Sequence, residues 1–212
     1  MRLTPTLMLK AAFCLLTLSW SIATVAAPPQ DSLTYLGPDV GLNLGGSDVL
    51  DHNISDGNAN TQYIVDAGDG WYFGMHLTQY LWHGPIALRA AVAYDYAGED
   101  PSCLDLERSC LYDMHKTTWD LLLHIDLGDT SSFDLGRTFH RGIVLTSSDD
   151  DNRFPQVDFH DAAGWVLQYE HKFSKDPDSY WGIRLTQIMY HTVATGTPAN
   201  GNSLGMFVGI SL

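Results

Sequence analysis

Basic side chains are scarce in this sequence of 212 residues: 11 Lys and Arg stand against 25 Asp and Glu, a formal charge of −14. A chain so poor in cations does not match a phosphate backbone, and nucleic-acid binding is excluded. Charged residues of both signs make up only 17% and hydrophobic residues 45%, which excludes a disordered chain. After the N-terminal stretch no apolar run reaches the length of about eighteen residues that a membrane helix needs, so a helical bundle in lipid is excluded too. Motifs are equally sparse: there is no HExxH, no Gly-rich phosphate loop and no Gly-x-Ser-x-Gly.

What is present begins with an export signal. Arg2 and Lys10 flank the apolar stretch Ala11–Ala23, and Thr24-Val25-Ala26 offers small residues for cleavage, so residues 1–26 read as a signal peptide. Cys14 sits inside the apolar stretch, without the small residues before it that lipidation requires. Cys103 and Cys110 remain, in a polar segment of an exported chain, and are expected to form a local disulfide.

Alternation of apolar and polar residues recurs along the rest of the chain. Ile86, Leu88, Ala90, Val92, Tyr94 and Tyr96 share one face, against Ala87, Arg89, Ala91, Ala93 and Asp95. The same period of two starts again at Trp119, Trp165 and Trp181, which is the strand signal. Eight strands are expected: Asp39–Gly46, Trp71–Trp82, Ile86–Tyr96, Thr117–Asp126, Phe133–Leu145, Ala163–Phe173, Tyr180–Thr192 and Asn202–Leu212. A short extra strand is expected around Thr61–Ala67. Most are longer than the roughly 5–6 residues usual in globular sheets and approach the roughly 9–11 of a tilted membrane strand. Brief turns (His83–Pro85, Gly128–Ser132, Ser174–Ser179) alternate with longer loops (Ser47–Gly70, Ala97–Lys116, Thr146–Ala162, Val193–Gly201).

The signal peptide, the loop rhythm and the apolar last strand ending on Leu212 together resemble the small eight-stranded bacterial outer-membrane β-barrel proteins. The resemblance implies an all-β fold, an antiparallel transmembrane barrel over residues 39–212 with short periplasmic turns and long extracellular loops. Residues 27–38 would then form an N-terminal periplasmic segment. Backbone polar groups can survive in hydrocarbon only in a closed sheet, with apolar side chains outside and aromatic rings at both interfaces. Trp71, Tyr96, Trp119 and Trp165 are expected at the outer rim, and Trp181, Phe133 and Phe173 at the inner one. In Phe133–Leu145 the apolar face also carries Arg137 and Arg141; a lipid-facing Arg near the midplane costs about 2–4 kcal/mol. A β-bulge near Gly136 or Gly142 is expected to move that face.

Inward positions collect Arg89, Asp95, Asp120, His124, Asp126, Gln168, Glu170, Lys172 and Arg184. Side chains fill an eight-stranded barrel, so these charges are expected to pair as a polar core, with Arg89 and Arg184 opposite the carboxylates. His191 invites a catalytic reading. The end of the seventh strand loosely resembles the lipid A deacylase barrels, whose His-x-Ser pair faces lipid. Here, however, Val193 stands where the nucleophile should be, leaving only Thr192 or Thr195 as hydroxyls. Asp149, Asp150 and Asp151 could hold Ca²⁺ but lack the spacing and Gly of a calcium loop. No other cofactor is expected.

The leading expectation is a non-enzymatic barrel of the outer membrane, in contact with its lipid and lipopolysaccharide. Its acidic surface loops would serve interaction or envelope integrity. The alternatives are a lipid A-modifying enzyme using His191, a narrow porin, and a soluble periplasmic barrel binding an apolar ligand. Ser47–Gly70, Ala97–Lys116 and Thr146–Ala162 hold five acids each. They would form a negative crown suited to divalent cations or a basic partner.

Overall fold

The computed structural model describes residues 33–56, 59–82, 84–98, 112–147, 156–173 and 176–212. Its strands are β1 (Thr34–Leu44), β2 (Asp48–Asp56), β3 (Ala59–Asp66), β4 (Gly70–Tyr80), β5 (Ile86–Gly98), β6 (Tyr112–Asp126) and β7 (Ser131–Ser147). They continue with β8 (Val157–Asp158), β9 (Ala162–Phe173), β10 (Asp176–Gln187), β11 (Met189–His191), β12 (Pro198–Asn200) and β13 (Ser203–Ile210). Antiparallel pairing runs β1-β4-β5-β6-β7-β9-β10-β13 and returns from β13 to β1, closing an eight-strand barrel. β2 and β3 pair with each other, as do β11 and β12, and β8 pairs with the end of β7.

Period two sorts the side chains to the two sides of the wall. Every barrel strand carries large apolar groups that are more than a third exposed, among them Leu36, Met75, Leu88, Leu121, Leu135, Tyr169, Leu185 and Met206. An apolar belt around the whole circumference is what a hydrocarbon surround requires, because lipid replaces the missing core on that side. Inward positions along the same strands are polar: Thr78, Arg89, Asp120, His124, Asp134, Gln168 and Arg184 are all buried.

Toward the long-loop end the arrangement inverts. On β6 the inward residues pass from Asp120 and Thr118 to Met114 and Tyr112, while Asp113 and His115 face out. Ala97, Ile143, Leu145, Ile188 and Tyr190 join them from the neighbouring strands. Val65 and Ala67 at the end of the β2–β3 hairpin pack into the same cluster. An apolar interior with a polar exterior is the pattern of a sheet in water, so the inversion marks where the wall leaves the membrane. Hydrogen bonds tie this cap together: Ser47 N donates to Asn200 O at 2.7 Å and Ala67 N to Ser47 O at 3.1 Å.

Three expectations about the wall are corrected. β1 starts at Thr34, so Thr34–Pro38 belong to the barrel and not to a periplasmic segment. Leu36 exchanges backbone hydrogen bonds with Leu212 at 3.1 and 2.9 Å. Pro38 faces the same β13 side two residues on and lacks an N–H, at the cost of one ladder bond. The bulge in β7 falls at Gly142, whose φ of 58° suits glycine, and it shifts the register between His115 and Thr117. It turns Ile143 and Leu145 inward, however, and leaves Arg137 and Arg141 on the outward face. The expected loop Ala97–Lys116 is also shorter, since Tyr112–Lys116 are wall.

Candidate functional site

The lumen holds the densest group of charged side chains among the described residues. Arg89 on β5 reaches across the barrel, donating to Asp134 on β7 at 2.9 Å and, through both terminal nitrogens, to Glu170 on β9. Its Nε donates to Thr78 at 2.9 Å. One cation facing two carboxylates would leave an uncompensated buried charge, and His124 answers it with Nδ1 at 2.7 Å from Asp134. The other ring nitrogen of His124 lies 3.3 Å from Asp126, which also accepts from the Tyr80 hydroxyl at 2.9 Å. Above this layer Arg184 donates to Asp120 at 2.6 Å and to Gln168 at 2.6 Å, and Gln168 returns a bond to Asp134 at 3.2 Å. Asp95 accepts from Thr118 and, at 3.5 Å, from Asn43.

A third group joins Asp39, His76 and Tyr180. His76 Nδ1 lies 3.0 Å from Asp39, and the Tyr180 hydroxyl donates to the same carboxylate. Toward the long-loop end His140 bonds the Tyr190 hydroxyl at 2.6 Å, beneath the apolar cap. Between the layers a cavity of about 30 Å³, lined by Asp39, Tyr72, Arg89, Asp95, Asp120 and Arg184, has room for one or two waters. The lumen is therefore filled by mutually bonded side chains and then covered by the cap.

His124, Asp134 and Glu170 bring three ligand atoms within 4.8 Å of one another, the spacing of a metal site. The Arg89 guanidinium, bonded to both carboxylates, already supplies the positive charge there. The donor set thus fits an ion-pair network better than a divalent cation.

Of the lumen residues expected from sequence, Arg89, Asp95, Asp120, His124, Glu170 and Arg184 lie buried inside, Asp126 at the Tyr80–His124 contact, and Lys172 half-buried beside the short turns. Asp39, His76, Asp134 and Tyr180 were not singled out. The signal for Asp134 and His76 was present, because each alternates with apolar outward neighbours: Phe133 and Leu135 for one, Met75 and Leu77 for the other. Trp119 and Trp165 stand half-exposed on the belt, Trp71 pairs with Tyr96 across β4 and β5, and Trp181 lies against Tyr169 and His171.

No protein-family model matches the sequence, and comparison with curated proteins finds no match. Among solved structures, the chain is similar to the outer membrane protein OprG of Pseudomonas aeruginosa, at 14% identity and a TM-score of 0.47, over 85% of this chain and 96% of that one. It is also similar to Neisserial surface protein A, at 10% identity and a TM-score of 0.48, over 85% and 98% of the two chains. A continuous belt of exposed apolar side chains around a closed, polar-filled barrel decides the placement. The chain is a closed eight-stranded β-barrel with the surface of a membrane-spanning one.

In this barrel the remaining candidates separate. His191 on β11 is exposed, and among the described residues no hydroxyl or carboxylate bonds its ring; Thr192, Thr195 and Thr197 bond one another instead. Cys103 and Cys110, the Asp149–Asp151 run and residues 1–26 lie outside the described residues. Arg137 faces outward with its guanidinium 4.7 Å from the centre of the Trp165 ring, and Arg141 Nε lies 3.8 Å from Asp161.

Proposed function

We propose that this barrel sits in the bacterial outer membrane as a non-enzymatic, non-conducting surface protein whose acidic loops meet a basic partner or, through divalent cations, lipopolysaccharide. The observation that carries the reading is the lumen: two buried arginines are each tied to carboxylates from other strands, and an apolar cap lies above them. Ions cannot cross such an interior without breaking charge-assisted bonds in a low dielectric. In the same reading residues 1–26 are removed on export, and Cys103 and Cys110 close a disulfide within the second extracellular loop. The Asp149–Asp151 run adds negative charge to the crown.

Two measurements test it. Planar bilayers containing the purified protein should carry no stepwise current; discrete, reproducible conductance steps would return the narrow-porin reading. Cells displaying the protein should adhere to a basic surface, and neutralising Asp149–Asp151 to Asn should weaken that adhesion. The deacylase reading predicts a change in lipid A acylation that His191→Ala abolishes, and unchanged lipid A profiles would end it.

A further inference from the structure

The outward face of β7 carries a feature that the surface role does not use. Arg137, Phe139 and Arg141 alternate along it, so two guanidiniums share one side of the wall with an aromatic ring between them. Arg137 has no acidic partner among the described residues, and its guanidinium lies over the face of Trp165 on β9. Arg141 has one loose partner in Asp161, with both side chains about two-thirds open at 69% and 65% exposure. Ala163, a small residue, is the cross-strand partner of Phe139, between Trp165 and Asp161 on the neighbouring chain segment. Leu121 stands directly opposite Arg137, and toward the short-turn end the same surface continues as Leu123 and Leu135, all exposed. Toward the long-loop end lies the inversion described above, where the wall emerges into water.

Two cations on the outward wall, Arg141 where it leaves the membrane and Arg137 level with Leu121, with Leu123 and Leu135 beneath them, match a molecule with an anionic head and acyl chains that points its head outward. We propose that Arg137, Arg141 and Trp165 form a binding site on the barrel wall for a phosphorylated glycolipid of the outer leaflet, whose phosphate monoester the two guanidiniums hold. Arg is suited to this because its planar fork presents paired donors to phosphate oxygens. Stacking on Trp165 fixes the Arg137 plane before the lipid arrives. The acyl chains lie along Leu121, Leu123 and Leu135. The site gives a use to an Arg on a wall face that is otherwise apolar. It rests on the reading of the chain as an outer-membrane barrel.

The test is native mass spectrometry of the full mature chain refolded in detergent micelles and offered lipid A, lipid A stripped of its phosphates, phosphatidylglycerol, and inorganic phosphate. The expected result is retention of intact lipid A about tenfold above the dephosphorylated form, with no displacement by phosphatidylglycerol or inorganic phosphate. The Arg137→Gln/Arg141→Gln double variant should lose that preference while keeping the heat-modifiable mobility of a folded barrel. Equal retention of the two lipid A forms by the unaltered protein would overturn the site, whatever the variant does. Displacement by inorganic phosphate would overturn the lipid as occupant, and displacement by phosphatidylglycerol would overturn the monoester. An unaltered chain with no heat-modifiable form would instead overturn the barrel reading beneath both.

Discussion

The Arg89 guanidinium lies 2.9 Å from the Asp134 carboxylate with the two side chains 5% and 0% exposed, in the middle of the barrel. Glu170 shares the same cation from a third strand, so β5, β7 and β9 are joined across the lumen by one side chain. Buried pairs of this kind seldom add much over an apolar isostere, but breaking one side is costly because the partner charge stays behind.

Arg89→Met should therefore lower stability by about 3–5 kcal/mol, since it strands two carboxylates at once. Thr78→Val removes only a hydroxyl that accepts from Arg89 and should cost about 1 kcal/mol. Urea unfolding in lipid vesicles, followed by tryptophan fluorescence, reads both. Equal midpoints for the two variants would show that the network does not hold the strands.

The Arg184–Asp120 pair gives a second, independent reading. A double-mutant cycle with Arg184→Met and Asp120→Asn should return a coupling of about 1–3 kcal/mol, as expected for a contacting buried pair. A coupling near zero would mean that Gln168 alone satisfies Arg184.

The β2–β3 hairpin should respond to pH. Burial, together with the nearby Asp48 and Asp69 carboxyls, pushes Asp66 up to about 7 from its usual 3.8. The folded hairpin then binds a proton that the open one releases, so this contribution is full below the unfolded value and is lost as pH rises through about 7. Amide exchange at Ala67, which bonds Ser47, should quicken across that interval beyond the intrinsic rate, and Asp66→Asn should remove the extra dependence. A profile identical in the variant would refute the assignment.

Closure of the barrel depends on a close approach at Gly37. A Cβ there would stand 1.5 Å from the carbonyl oxygen of Ile210, on the β1–β13 seam. Gly37→Ala should cost about 3 kcal/mol by forcing the seam apart, seen as loss of the heat-modifiable band at urea concentrations the unaltered barrel survives. Undiminished resistance would place the seam elsewhere.

The barrel was legible in the sequence wherever one alternation continued through the membrane. On β6 the apolar residues Trp119, Leu121 and Leu123 are outward and odd-numbered, whereas Met114 and Tyr112 are inward and even-numbered. The hydrophobic set changes parity between them, and to a pattern search this resembles the end of a strand. β7 misleads in the opposite way. Phe133, Leu135, Ile143 and Leu145 keep one parity in sequence, yet the bulge at Gly142 turns the last two inward. The apolar cap could not be anticipated for that reason, while the polar core could, because Arg89, Asp120 and Arg184 alternate with plainly apolar neighbours. Asp39 was missed because it stands at the first position of its expected strand, whereas β1 begins at Thr34 and carries it well inside the barrel.

The central claim is that the belt from Leu121 and Leu135 up to Trp119 and Trp165 lies in hydrocarbon and that the wall leaves it near Thr117 and Arg141. Depth-resolved quenching by brominated lipids measures this directly, on variants carrying one tryptophan at position 119, 123 or 113 in vesicles. The account predicts strong quenching at 123 by deeply brominated chains, quenching at 119 by bromines near the headgroups, and none at 113. Equal, weak quenching at all three positions, or stronger quenching at 113 than at 123, would contradict it.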